Sequence, residues 1–171
     1  MRMLKISKAS TTLLNAKIVK EIEEKGEVKV KIIQNGELEI TAVEEDKGGN
    51  EWIAEQVIRA VVYGFEPKHA FKLFSDEYFI ETVDLESAFH RKEKNIQRAK
   101  SRIIGEGGKA RKKLEELSGT YIKVSNATDN VSIIGKFTDL QNAKEAILRL
   151  IEGSGHESVY RFLENKTKQV I

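Results

Sequence analysis

The chain contains no cysteine among its 171 residues, which excludes disulfides, a thiolate nucleophile and thiolate-held zinc or iron–sulfur clusters. Proline occurs once and histidine three times. His69, His90 and His156 are scattered without ligand spacing, so neither a metal nor another cofactor is expected. No apolar run approaches the roughly 18 residues of a membrane span, and the opening MRMLKISKAS lacks the long apolar stretch of a signal peptide. The expectation is a cytoplasmic protein with no membrane partner. Hydrophobic residues at 40% and charged residues at 33% describe a folded chain with a packed core.

The net charge of +2 hides an uneven distribution. Residues 1–87 carry 12 Lys and Arg against 17 Asp and Glu, residues 88–113 carry 10 against 2, and residues 114–171 carry 7 against 8. One 26-residue segment therefore holds the positive field of the molecule, as a polyanion contact requires. A solvated helix face would carry the same residue types.

A pattern occurs twice. Lys20-Glu21-Ile22-Glu23-Glu24, Gly26 and the alternating Val28–Ile32 recur as Lys112-Lys113-Leu114-Glu115-Glu116, Gly119 and Tyr121–Val124, at an offset of about 92. Ala54, Val57, Ile58 and Gly64 recur as Ala143, Ala146, Ile147 and Gly153, at an offset of 89. Two copies of one small α+β domain follow, spanning 1–75 and 76–171, with the linker helix around Pro67 in the first.

In the first copy the patterning predicts a strand over Met3–Ile6, a helical stretch over Thr11–Glu24 broken near Asn15, strands over Glu27–Ile33 and Leu38–Val43 joined by an Asn35-Gly36 turn, and a helix over Glu51–Tyr63 capped by Asn50. The second copy reads as a strand over Tyr78–Val83, about twelve additional residues (Asp84–Asn95), helices over Ile96–Ile104 and Lys109–Leu117, strands over Thr120–Ser125 and Val131–Ile134, a helix over Thr138–Glu152 and a polar C-terminal helix over Ser158–Val170. Adjacent acids such as Glu23-Glu24, Glu44-Glu45 and Glu115-Glu116 do not form a convergent pair for acid–base chemistry and are expected to be solvated. Trp52 and the phenylalanines near the linker are expected to pack, with Phe89, beside basic residues, also placed to stack on a base.

Between the two short helices of the second copy lies Gly105-Glu106-Gly107-Gly108. Glycines let a backbone approach a ligand without Cβ obstruction, and the N–H groups opening the next helix favour a phosphate. Arg98 and Arg102 precede the turn, and Lys109 and Lys112 follow it. The spacing is not that of a nucleoside-triphosphate loop, because Lys109 is followed by Ala110 and position 103 is Ile, and it is not the dinucleotide fingerprint either. A nucleotide-dependent enzyme is not indicated, and no catalytic residue is assigned.

Ile103-Ile104-Gly105-Glu106-Gly107-Gly108-Lys109, followed by Leu114-Glu115-Glu116 and a strand, resembles a type I KH domain, whose GxxG loop clamps the backbone of about four single-stranded nucleotides. The β-α-α-β-β-α order read in both copies is the KH order. With TYIKVSN at 120–126 and ESVYRFLE at 157–164, the tandem arrangement resembles the archaeal relatives of the eukaryotic ribosome assembly factor partner of Nob one, over nearly the whole chain.

The resemblance implies two tandem type I KH domains, each a three-stranded sheet packed by helices, plus a C-terminal helix. It also implies a non-enzymatic assembly factor acting near the 3′ end of small-subunit rRNA. Single-stranded RNA, the alpha subunit of translation initiation factor two and the rRNA-maturing endonuclease are the implied partners.

The copies are not equivalent, because the offset places Leu13-Leu14-Asn15-Ala16 where the second has its glycines. The first is expected to be structural or protein-binding, and the second to grip RNA through Gly105, Glu106, Gly107, Gly108 and Lys109. Ile104 and Ile122 would contact bases, and Arg98, Arg102, Lys112 and Lys123 would lend charge. The alternatives are a protein–protein scaffold with no RNA role, and a KH-type regulator of single-stranded DNA or mRNA.

Overall fold

A computed structural model describes residues 1–169, arranged as two compact units that divide between Asp76 and Glu77. Each unit contains one three-stranded antiparallel sheet and several helices.

In the first unit, β1 (Arg2–Lys5) is followed by a 3-10 turn over Ala9–Leu13 and helix α1 (Ala16–Gly26). The break near Asn15 is a helix cap: its side-chain carbonyl accepts the Ile18 N–H at 3.0 Å. Strands β2 (Val28–Ile32) and β3 (Glu37–Ala42) pair through a turn in which Asn35 and Gly36 both take positive φ, 63° and 79°. A Cβ at Gly36 would lie 2.2 Å from the Ile6 carbonyl oxygen, so the turn needs glycine there. β3 is the central strand of the order β1-β3-β2, and the register aligns Leu4 with Leu38 and Arg2 with Ile40. Leu4, Leu38 and Ile40 are buried, as one face of an alternating strand should be.

Helix α2 (Gly48–Val62) buries Ala54, Val57, Ile58 and Val61. It begins earlier than expected, which puts Asn50 inside the first turn and not at the cap. The Asn50 amide instead donates to Glu27, as Lys47 does at 2.8 Å. Trp52 on this helix is 51% exposed, contrary to the expectation that it packs. Pro67 opens the short helix α3 (Pro67–Ala70), and a 3-10 turn over Phe71–Phe74 ends the unit's structured part.

The second unit starts with β4 (Tyr78–Asp84), and the Asp84 side chain caps the short helix α4 (Leu85–Ala88). Helix α5 (Glu93–Ile104) and helix α6 (Lys109–Ser118) flank the glycine turn. Strands β5 (Tyr121–Ser125) and β6 (Asn130–Lys136) complete a sheet of order β4-β6-β5, so β5 is an edge strand. Helix α7 (Phe137–Ile151) and helix α8 (His156–Gln169) follow, and the expected helix end at Val170 lies outside the described residues.

Apolar positions three and four apart make the core: Ile96, Ala99 and Ile103 of α5 meet Leu114 of α6, Ile133 of β6, and Leu140, Ala143 and Ile147 of α7. Val159 and Leu163 of α8 join it. Among the described residues no helix is long and apolar enough to cross a membrane.

The two sheets share the strand order first-third-second, yet the units differ between their first strand and second helix. Residues 6–15 fill that gap in the first unit and residues 85–108 in the second. The extra length becomes α4, a longer first helix and the glycine turn.

Candidate nucleic-acid interface

The glycines of the turn have two different physical reasons. Gly105 adopts φ 73° and ψ 175°, and a Cβ there would lie 2.6 Å from the Ala110 Cβ and 2.8 Å from its backbone nitrogen. Its missing side chain lets α5 and α6 come together. Gly107 and Gly108 also take positive φ, 60° and 78°, but a Cβ on either meets nothing within 4 Å. The outer surface of the turn is therefore backbone open to a ligand.

Gly108 stands at the cap of α6 and has no side chain to accept from that helix's first N–H groups, of which the Lys109 N–H donates to the Glu106 carbonyl. In the first unit the Asn15 carbonyl closes the corresponding helix start. A helix start without a side-chain cap leaves its dipole available to an anion. Exposed Lys109 and Lys112 flank it, with Lys113 alongside, and none of the three makes an ion pair among the described residues.

The wall beside this turn is α6 and edge strand β5. Glu115 accepts the Ile122 N–H at 3.0 Å and the Arg111 guanidinium at 2.8 Å, and Arg111 also reaches the Ile122 carbonyl at 3.4 Å. Glu115, expected to be solvated, thus fastens the helix to the strand. The pattern offered two signals for this role, the Arg-to-Glu spacing of four on one helix and the recurrence of Glu23 at Glu115. Lys100, in the middle of the basic segment, is also withdrawn from solvent: it is buried and ion-paired with Asp129 in the turn between β5 and β6.

Several expected site residues fall elsewhere. Ile122 is 1% exposed in the core, because alternation along β5 turns its side chain inward, so it offers no surface to a base. Ile104 is half-buried beside the turn, and Lys123 is half-buried on β5. Arg102 does not face α6. Its guanidinium donates to the Ser154 carbonyl at 2.6 Å and its own carbonyl meets the His156 ring at 2.7 Å, both after the end of α7. Arg98 lies on the same side of α5 and is exposed. The structure therefore places Gly105–Lys109, Ile104 and Lys112 at the turn and the start of α6, leaves Lys123 on edge strand β5 with its side chain on the face opposite Ile122, and turns Arg98 and Arg102 toward α7.

Chemically the site offers backbone donors, exposed ammonium groups and an open turn, which is equipment for holding a phosphate. Among the described residues no group of three or more His, Asp or Glu side chains could hold a metal ion.

Residues 79–168 match the eukaryotic type KH-domain, KH-domain type I. A KH domain-containing protein of Methanocaldococcus jannaschii is 36% identical over 98% of this chain and 74% of its own length. The pre-rRNA-processing protein pno1 of Schizosaccharomyces pombe is 32% identical over 63% of this chain and 44% of its own, so the chain spans less than half of that relative. Among solved structures, Dim2p of Pyrococcus horikoshii superposes with a TM-score of 0.85 at 34% identity, covering 96% of this chain and 98% of the other. A chain of the a/eIF2alpha–aDim2p–rRNA complex from the same organism superposes with a TM-score of 0.88 at 33% identity, covering 98% and 94%. The chain belongs to the family of type I KH-domain proteins that includes PNO1 and archaeal Dim2p.

Proposed function

We propose that the second unit grips single-stranded RNA at the glycine turn and that the protein serves small-subunit ribosome assembly near the 3′ end of the rRNA. The observation that carries the reading is the uncapped start of α6 behind Gly107 and Gly108, with open space over both glycines and Lys109 and Lys112 beside it. Phosphates of a strand crossing the turn meet backbone donors first and ammonium groups second, without a base-specific contact. Ile104 lends an apolar surface next to the turn, and Lys123 adds charge from the edge strand. Glu106 points no donor at the strand and contributes its backbone.

The relatives named for pre-rRNA processing, and the solved complex with rRNA and a/eIF2alpha, support rRNA as the RNA and the alpha subunit of initiation factor two as a protein partner. The endonuclease that matures the rRNA end follows from the family role. The protein acts without catalysis of its own.

The first unit, residues 1–75 with the linker helix, is a KH domain that has lost its GxxG loop. Its strand order matches the second unit's, and its helix start is closed by Asn15. Within its structural limits it carries 12 Lys and Arg against 13 Asp and Glu, a far more even balance than the sequence segment 1–87 had implied. We assign it to protein contact.

The test is fluorescence anisotropy with single-stranded RNA from the 3′ end of small-subunit rRNA, a scrambled control and a salt series, on wild type and on the double substitution Glu106→Asp, Gly107→Asp. Asp tolerates the left-handed backbone at 107, and the space there is open, so the helices stay intact. Preferential binding by wild type that the folded variant loses supports the reading. Binding that survives the substitution overturns the clamp, and absence of binding by wild type leaves the scaffold role.

A further inference from the structure

Arg98 and Arg102 turn away from the α6–β5 wall into a seam between α5 and the end of α7, where a cavity of about 260 Å³ opens. Its polar lining is Asn95, Arg98 and Arg102, and no carboxylate lines it. Phe89 and Ile151, partly buried against the core, and Leu150, buried within it, form its apolar part. The volume lies just below the range of drug-sized pockets and suits one small planar group.

We propose that this seam is a second RNA subsite, which takes one nucleotide of a strand already held at the glycine turn. The proposal rests on the RNA-binding reading and extends its footprint. Three observations carry it. The donors are cationic or amide and no carboxylate competes for them, so they favour a phosphate and the acceptor edge of a base. Phe89 and Asn95 both come from Asp84–Asn95, the stretch the first unit lacks, so the seam is built from residues that accompany the glycine turn. That same stretch brings Arg91, Lys92 and Lys94, all exposed and without an ion pair among the described residues.

Continuity with the clamp follows from α5 itself. Arg98 and Gly105 are separated by seven residues, about 10 Å along a helix, so a strand that bends around the end of α5 from the turn to its α7 side reaches both. Arg102 is committed to the Ser154 carbonyl and shapes the rim, while Arg98 has no such tie and is the group free to meet a phosphate. The base then lies against the half-buried Phe89 ring, where stacking is indifferent to base identity. An acidic peptide shares the attraction to cations, whereas a nucleotide brings its anionic phosphate and its planar base within one unit.

The experiment measures anisotropy with a tetraribonucleotide and a decaribonucleotide from the 3′ end of small-subunit rRNA, on wild type, on the double substitution Asn95→Ala, Arg98→Ala, and on Glu106→Asp, Gly107→Asp. Side-chain nitrogen NMR of Asn95 and Arg98 accompanies each titration. The expected result is a decamer bound about tenfold more tightly than the tetramer by wild type, the scale of one stacked base. Asn95→Ala, Arg98→Ala should abolish that ratio, and the Asn95 and Arg98 resonances should move with the decamer and not with the tetramer.

A ratio that survives the seam substitutions, or resonances that stay still with the decamer, overturns the second subsite while leaving the clamp standing. Resonances that move with an acidic peptide and not with RNA also overturn it. Undiminished tetramer binding by Glu106→Asp, Gly107→Asp overturns the clamp and with it the second subsite as an extension of that clamp, and absence of all binding by wild type overturns both.

Discussion

Glu115 on α6 accepts the backbone N–H of Ile122 on the edge strand β5 at 3.0 Å, and in the first unit Glu23 on α1 accepts the N–H of Val30 on β2 at 2.9 Å. Both pairs are seven residues apart and the two glutamates are 92 apart, the offset at which the sequence repeats itself. An edge strand presents unpaired N–H groups, and a carboxylate reaching over from the preceding helix satisfies one of them and fixes the gap between helix and strand.

Glu115→Ala therefore leaves the Ile122 N–H and the Arg111 guanidinium without their acceptor. The expected loss is about 1–3 kcal/mol of stability in urea unfolding, together with weaker RNA binding as the wall beside the turn loosens. Glu115→Gln, which keeps an acceptor oxygen for the Ile122 N–H but loses the one that meets Arg111, should recover part of the stability. Glu23→Ala should lower stability with little change in RNA affinity. Equal effects of both alanine variants on RNA affinity would remove the distinction between the units.

Gly105 and Gly107 should separate folding from binding. Gly105→Ala forces a Cβ to 2.6 Å from the Ala110 Cβ in a left-handed backbone, so a loss of roughly 2 kcal/mol or more is expected in thermal unfolding. Gly107→Ala meets no atom within 4 Å and pays only for its φ of 60°, about 1 kcal/mol. A melt that ranks them the other way would contradict the packing of α5 on α6.

Lys100 and Asp129 tie the middle of α5 to the turn between β5 and β6 through a buried ion pair. Lys100→Ala leaves the carboxylate without its partner and should cost about 3 kcal/mol. Lys100→Met combined with Asp129→Asn removes both charges and should come close to wild type. Denaturant unfolding of the two variants checks the pair.

The Glu55 carboxyl of the first unit gives a sign for acid unfolding. Burial pushes its pKa up, but hydrogen bonds from Arg2 and Arg59, with their charges, outweigh burial and hold it below the ordinary carboxylate value of 4.5. A lowered folded-state pKa contributes stability that is fully present above the unfolded value and is lost as the pH falls from about 4.5 through the lower folded value. Urea unfolding between neutral pH and pH 3 should show this decline, and Glu55→Gln should flatten it while lowering the stability at neutral pH.

Much of the molecule was legible before any coordinates. Two hydrophobic periods, 3.6 for helices and 2 for strands, placed the elements of both units. Asn35-Gly36 marked a turn that needs two positive φ values, and the charge count isolated the segment around the glycine turn. Alternation along Tyr121–Val124 also carried the information that Ile122 faces inward, since a strand sends successive side chains to opposite faces.

Other features depended on which surfaces meet. A helix pattern defines a stripe but not the neighbour that the stripe touches, so Arg98 and Arg102 shared a side in the sequence and only the packing of α5 against α7 turned that side away from the glycine turn. The partners of Glu115, Lys100 and Arg102 are backbone or loop groups with no composition signal of their own. The sequence by itself determined the duplicated strand and helix order, the lone glycine turn and the basic segment, because these follow from local periodicity and residue type. The tertiary structure alone decided which cations remain free, which acid staples an edge strand and where the α5–α7 seam opens, because each depends on groups far apart in the chain brought within a few ångströms.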